Sequence, residues 1–193
     1  MNKCLVFFAK GENEILLLRR ISEHIIKNHR DKLSDIKIEY YNINQLDGVE
    51  RAIYRKFDAV KNNYGEYYEF IVILLRDSDE FEFKLNPSID WAKIREVLIN
   101  DGAKDFVELK AKVSTDDWLL KDPIGLLNYL QLSSDILTFT QNIDLKSLFK
   151  KANKHYIKGT YNQGLVDHLD INKIVEELSS ELLPLYTVMS IQT

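Results

Sequence analysis

The chain has 193 residues, 45% apolar and 29% charged, which is an ordinary composition for one globular domain with a sizeable core. The formal net charge of −4 offers no overall attraction to nucleic acid or anionic membranes, so contact with either would need a local basic patch. With only 7 Gly and 3 Pro, the composition also argues against long linkers or disorder.

The single cysteine, Cys4, cannot form a disulfide within the chain, which fits a reducing compartment. The apolar run that contains it is shorter than a signal-peptide core, and no small-residue cleavage site follows. No segment approaches the length that a membrane span needs. We therefore expect a cytoplasmic protein with no membrane contact.

The first half of the chain alternates between candidate strands and candidate helices. The predicted strands are 4–8, 36–43 and 70–75, and the predicted helices are 11–30 and 49–60. The strand at 70–75 is a continuous apolar run, which is typical of a strand buried on both faces. This order of elements predicts an α/β fold, with a mostly parallel sheet flanked by helices.

The second half is more helical. One more strand is predicted at 106–113, after a helix that begins at 86–88 and stops near Gly102. Residues 114–118 are expected to lead into a helix or a turn, and further helices are expected from 122 onward and at 144–155, 170–178 and 180–189. We predict a single domain over residues 1–193, with an α/β core at about 1–113 and a helical C-terminal extension at about 114–193.

Acidic residues follow the strand at 70–75. If this segment is extended, Asp77 and Asp79 project to the same side and could face one hard cation such as Mg²⁺. The alternative is a solvated acidic turn. Parallel strands bring their carboxyl ends to one edge, so a carboxylate from Glu12 or Glu14, after the first strand, is expected near Asp77 and Asp79. The alternative for these two glutamates is that they only favour the helix N-terminus.

Other ligand and cation patterns in the sequence are weaker. The four histidines match no zinc spacing, and Cys4 in a buried strand is expected to be inert. Lys146, Lys150 and Lys154 share one face of the helix predicted at 144–155. Such a row either neutralises phosphates or is simply a solvated face.

Several of these stretches together resemble the TOPRIM fold shared by topoisomerases, primases and OLD-type nucleases. The stretches are FFAKGENE at 7–14 and LLRDSD at 74–79. The segment DDWLLKD at 116–122 is similar to the E-x-W-L-L-x-D segment of a TOPRIM-like family of unknown function, often associated with prokaryotic anti-phage defence loci. Residues 156–159, followed by 168–170, resemble the lysine-containing C-terminal region of that family.

The resemblance implies a nuclease or phosphoryl-transfer activity that depends on Mg²⁺ or Mn²⁺, with nucleic acid as a partner. Asp116 takes the place of the glutamate in the tryptophan motif, and Asp122 would support the site beside it. Glu14, at the family's second acidic position, would position the metal or act as general base. The implied catalytic residues are Glu14, Asp77, Asp79 and Asp116; the metal ligands are Asp77, Asp79 and Glu14; and the phosphate-binding residues are Lys10 and Lys158.

One departure from the family pattern supports a second hypothesis. Lys10 stands where the TOPRIM pattern has its first glutamate, just before the glycine. The alternative is therefore a non-catalytic interaction or immunity module on the same fold, with a protein partner from a defence system. A phospho-acceptor receiver domain built on Asp77 is a third reading, but the acidic pair expected after its first strand is missing.

Overall fold

The computed structural model describes residues 2–191, apart from 32, 34, 44–47, 78–88, 113, 140–143, 159 and 163. Its strands form one parallel sheet in the order β2-β1-β3-β4. The strands are β1 (Asn2–Ala9), β2 (Ile36–Asn42), β3 (Tyr68–Asp77) and β4 (Ala103–Ala111). This confirms the predicted α/β class, with every strand close to its predicted position.

Helices cover both faces of the sheet. They are α1 (Glu12–Asn28), α2 (Val49–Tyr64), α3 (Trp91–Asn100), α4 (Thr115–Leu119), α5 (Pro123–Leu130), α6 (Ile136–Phe139), α7 (Leu145–Lys151), α8 (Ile171–Glu177) and α9 (Ser179–Val188). The start predicted for α3 at 86–88 lies outside the described residues. The helix predicted at 144–155 is wrong in its C-terminal part, because α7 ends at Lys151 and Asn153 adopts a left-handed φ of 54°.

The two central strands are buried on both faces, as the apolar run at 70–75 predicted. In β1, residues 5, 7 and 9 join one hydrophobic core with α1 and the helices that follow β4. Residues 4, 6 and 8 join a second core with α2 and α3. This alternation is the strand period of two, with an apolar partner layer on each side.

The strand order creates a switch point between β1 and β3. The chain passes from β1 to β2 on one side, and then crosses to β3 on the other side of β1. In open α/β sheets, ligands bind in the crevice at the carboxyl ends of the strands where the order reverses. Among the described residues, no helix is both long and apolar enough to cross a membrane.

Candidate functional site

Charged and polar side chains from four segments meet at the carboxyl ends of β1 and β3. We call them the switch-point cluster. It consists of Glu14 on the first turn of α1, Asp77 at the end of β3, Thr115 and Asp116 on α4, and Tyr156 and Lys158 in the segment after α7. The prediction that parallel strand ends would gather carboxylates at one edge is therefore met by Glu14 and Asp77, each of which contacts Thr115.

Glu14 is held by its position in the helix and by a glycine. It is the third residue of α1, and its carboxylate folds back against Gly11, where a Cβ would collide with Glu14 Oε2. The side chain is 8% exposed, and its Oε1 accepts a hydrogen bond from Thr115 Oγ1 at 3.2 Å. Its Oε2 is buried and has no hydrogen-bond partner among the described residues.

Asp77 has a partner on each oxygen. Its Oδ1 accepts a 2.6 Å hydrogen bond from the backbone N–H of Thr115, the first residue of α4. Its Oδ2 lies 2.6 Å from Lys158 Nζ and forms an ion pair with it. Asp77 therefore fixes two separate C-terminal segments, α4 and the segment after α7, to the end of β3.

Asp116 lies next to Thr115 and is bound by a tyrosine. The Tyr156 hydroxyl donates a 2.6 Å hydrogen bond to Asp116 Oδ1. Tyr156 itself is 9% exposed, and its ring packs 4.9 Å from the ring of Phe149 on α7. The Phe149 contact holds the phenol in place, so the position of Asp116 depends on the packing of α7.

The cluster holds more negative than positive charge, and the pKa values respond to this. Burial, as the largest cause, raises the pKa of Glu14; its own backbone N–H opposes the increase, and the charge of Asp116 adds to it. Burial likewise raises the pKa of Asp116, against the hydrogen bond from Tyr156. Burial alone would lower the pKa of Lys158, but its bond to Asp77 and the charges of Asp77, Asp116 and Glu14 raise it overall.

A second buried polar atom lies on the same turn of α1. Asn13 is 1% exposed, and its Oδ1 accepts a 3.0 Å hydrogen bond from the backbone N–H of Asn162. That bond assigns the oxygen end of the amide, because a backbone N–H can only donate. Its Nδ2 is then a buried donor with no partner in the described part of the chain. Asn13 Nδ2 is thus a buried donor and Glu14 Oε2 a buried acceptor, and neither makes a hydrogen bond to the described residues.

Two other residues singled out in the sequence, Lys10 and Asp122, make their contacts away from the switch-point cluster, and a third, Asp79, is not among the described residues. Lys10 Nζ lies 5.4 Å from the centroid of the Trp91 ring, and Trp91 packs on the core of the other face of the sheet. Asp79 is outside the described residues. Asp122 is buried against the start of α8, where its Oδ2 accepts a 2.9 Å hydrogen bond from the backbone N–H of Asp170.

The fit of a divalent cation to these residues is partial. In the described ranges, no group of three His, Cys, Asp or Glu side chains could hold a metal ion. Mg²⁺, however, needs only one or two protein carboxylates and keeps several waters. The buried and unpartnered Glu14 Oε2, beside the charge of Asp116, is a donor that such an ion suits, whereas both oxygens of Asp77 are engaged.

Cysteine chemistry has no support at this site. Cys4 is a free thiol, fully buried in β1. Burial and the charge of Glu39 raise the pKa of Cys4 to about 12, so the thiol stays protonated at neutral pH. This agrees with the expectation that Cys4 is inert packing.

Sequence reasoning did not assign a site role to two members of the cluster, Thr115 and Tyr156, or to the neighbouring Asn13. For Thr115 a signal exists, because Ser114 and Asp117 form a capping box that marks residue 115 as the start of a helix. Asn13 lies between the two glutamates and could have been chosen with them. Tyr156 belongs to the stretch 156–159 that resembles a family's C-terminal region, but that resemblance points to Lys158, and Tyr156 reaches the cluster through the packing of α7.

Comparisons with protein-family models, with curated proteins and with solved structures gave no match. The TOPRIM resemblance therefore stays a prediction, carried by the short motifs alone.

Proposed function

We propose that the switch-point cluster is the active site of a Mg²⁺- or Mn²⁺-dependent enzyme that hydrolyses or transfers phosphoryl groups, with nucleic acid as the substrate. One observation carries the proposal. Within the part of the chain that the structure describes, carboxyl groups from α1, β3 and α4 converge with one ammonium group, and the most buried of them, Glu14, has an oxygen without a hydrogen bond. An excess of carboxylates over cations is lowered in energy when a further cation binds.

Each residue has a role in this proposal. Glu14 and Asp116 would hold the cation, and Asp77 would position Lys158, whose Nζ would reach a phosphoryl oxygen. A bound Mg²⁺ supplies a Lewis acid and an activated water. In the alternative in which Glu14 acts as general base and does not hold the cation, burial helps, because it raises the pKa of Glu14 in the direction that a general base needs. The Lys158 ammonium would offset negative charge that develops on the phosphoryl group.

The test is an assay of purified protein with Mg²⁺ or Mn²⁺ on labelled DNA and RNA, single- and double-stranded. We expect cleavage by the wild type and a loss of at least about 100-fold in Asp77→Asn and Glu14→Gln, since removing one such electrostatic or acid–base group typically costs 10²–10³-fold. Glu96→Gln, which changes an exposed glutamate on α3, is the matched control and should retain full activity. No cleavage by the wild type, or equal activity in all variants, contradicts the proposal.

A second candidate is a non-catalytic interaction module, as the Lys10 departure suggested. It is favoured by a specific observation: Lys158 and the backbone N–H of Thr115 already neutralise and bind Asp77. In this case the Lys158 ammonium takes the place of a metal cation. The cluster then connects the C-terminal helices to the sheet and presents them to a protein partner. Titration calorimetry decides between the two, because the module should bind neither Mg²⁺ nor Mn²⁺.

A further inference from the structure

A pocket of about 350 Å³ lies beside the switch-point cluster. We call it the basic pocket. It is lined by Lys146, Lys150, Asn153, Lys154, His155 and Tyr156. Lys146 and Lys150 are one helical turn apart on α7, and the left-handed Asn153 turns the chain so that Lys154 and His155 come back to the same concavity. The sequence predicted the lysine row as one helix face, whereas the structure makes it a pocket.

The lysines of the basic pocket are not needed to complete α7. The last carbonyls of the helix, those of residues 148, 149 and 150, accept hydrogen bonds from the backbone N–H groups of residues 152, 154 and 153. The helix dipole favours basic residues in the last turn, but it does not explain why Lys154 and His155 return to the pocket. Among the described residues, neither Lys146 nor Lys150 takes part in an ion pair, and both are exposed.

The basic pocket and the switch-point cluster share a wall. Tyr156 lines the pocket, and its hydroxyl bonds to Asp116 in the cluster. Lys158 lies two residues further along the same segment and reaches Asp77. Residues 154–158 therefore connect the basic pocket to the carboxylates of the cluster.

An aromatic surface borders the pocket on its other side. Lys154 Nζ lies 4.6 Å from the centroid of the Tyr129 ring and donates to the Tyr129 carbonyl at 3.3 Å. Tyr161 is 52% exposed, and the next residue, Asn162, is held beside the switch-point cluster because its backbone N–H donates a 3.0 Å hydrogen bond to Asn13 Oδ1. Exposed aromatic rings beside cations are the surface on which unpaired bases stack.

We infer that the basic pocket binds the phosphate backbone of single-stranded nucleic acid, and that Tyr161 stacks on a base of the same strand. The inference rests on the proposed function, because it supplies the path by which a strand reaches the switch-point cluster. The overall charge of −4 restricts this binding to the local cation group. A single strand is favoured over a duplex, because only unpaired bases are free to stack on a tyrosine.

The test measures binding without metal, so that it is independent of cleavage. The anisotropy of a fluorescein-labelled oligothymidylate is followed in EDTA for the wild type and the triple variant K146Q/K150Q/K154Q. The charge-matched control is K27Q/K93Q/K104Q, which changes three exposed lysines on other elements. We expect binding at least about tenfold weaker in the pocket variant, and a log–log salt slope reduced by about 2, as expected for three lost contacts to a single strand. The control should bind like the wild type.

A second variant tests the stacking. Tyr161→Ala should weaken binding of the single strand at least about fivefold and leave binding of a duplex unchanged. Equal losses in the two triple variants, or no binding by the wild type at about 50 mM salt, would overturn the inference. Selective loss of binding in the pocket variant, together with no cleavage by the wild type, leaves the inference standing and removes the proposed function. Cleavage by the wild type, together with equal binding by both triple variants, supports the proposed function and overturns the inference.

Discussion

Two buried carboxylates, Glu14 and Asp122, show how the same chemical group is used in two ways in this fold. Each is less than a tenth exposed, and each lies against a glycine where a Cβ would collide with a carboxylate oxygen, Gly11 and Gly125 respectively. Their hydrogen bonds differ. Among the described residues Glu14 Oε2 has no partner, whereas Asp122 has a partner on both oxygens.

This difference in hydrogen bonding distinguishes Asp122, which connects two helices, from Glu14, which belongs to the candidate site. Asp122 binds the backbone N–H of Asp170 at 2.9 Å and Lys173 Nζ at 3.4 Å, and it thereby ties the start of α5 to the start of α8. Removing a buried charge whose bonds are all made leaves its partners unsatisfied and lowers stability, whereas a buried charge with a bond unmade already raises the free energy of the folded state. We therefore expect Asp122 to serve stability, and Glu14 to serve binding at a cost in stability.

The largest loss of stability is expected from removing the Asp122 carboxylate. Asp122→Ala leaves the Asp170 N–H and the Lys173 ammonium without their acceptor, and we expect a loss of about 2–3 kcal/mol in the free energy of unfolding, as for hydrogen bonds to charged groups. Urea denaturation followed by circular dichroism measures it. The control is Asp167→Ala, which removes a largely exposed ion pair with Arg20 and should cost less than about 1 kcal/mol. Equal costs for the two variants would contradict the assignment of Asp122.

The next largest difference in stability is expected between alanine substitutions at the two glycines, Gly125 and Gly11. In Gly125→Ala the new Cβ would lie 2.5 Å from the backbone carbonyl oxygen of His168, which cannot rotate away, so we expect a loss of about 2 kcal/mol. In Gly11→Ala the new Cβ meets only the flexible end of Glu14, and the loss should be below about 1 kcal/mol. Thermal unfolding of the two variants provides the measurement.

Gly11→Ala also bears on the site. Its Cβ must push the Glu14 carboxylate from its present place, so under the proposed function the variant should lose activity while remaining folded. A variant that unfolds like Gly125→Ala, or one that keeps full activity, would show that Gly11 does not make room for Glu14.

Much of the fold could be predicted, because periodicity is a local property of the sequence. The apolar run at 70–75 and the alternation of strands and helices were enough for a parallel sheet with two covered faces. The end of α7 could not be predicted in this way. Lysines continue a helical pattern, and the left-handed turn at Asn153 depends on local backbone geometry that the charge pattern does not contain.

Only the part of the site that follows from the order of the strands could be predicted. Parallel strands require Glu14 and Asp77 to share an edge, and they do. Asp122 was chosen from a short motif as support for the site, yet its side chain contacts α8. A motif specifies residue types, whereas the direction of each side chain depends on how the C-terminal helices pack. Tyr156 enters the cluster for the same reason and could not have been found without that packing.

A stabilising effect is expected for Glu14→Gln. Glutamine has nearly the same shape, keeps an acceptor for Thr115 and removes a buried charge. Because the folded-state pKa of Glu14 is raised, the folded protein binds this proton more tightly than the unfolded chain. The charged carboxylate therefore lowers stability above its folded-state pKa, and the penalty disappears below its ordinary value of 4.5. At pH 8 we expect Glu14→Gln to raise Tm by about 2–4 °C, the shift that about 1 kcal/mol produces in a chain of this length.

The pH dependence distinguishes this explanation from a general gain in packing. The difference in Tm between Glu14→Gln and the wild type should shrink towards zero as the pH falls below about 4.5, because both side chains are then neutral. Glu96→Gln, at an exposed position, should show no difference at either pH. A Tm lowered by Glu14→Gln at pH 8 would mean that the Glu14 charge is stabilising, as the charge of Asp122 is. Glu14 would then serve stability as Asp122 does, and the case for a cation at the switch-point cluster would lose its main support.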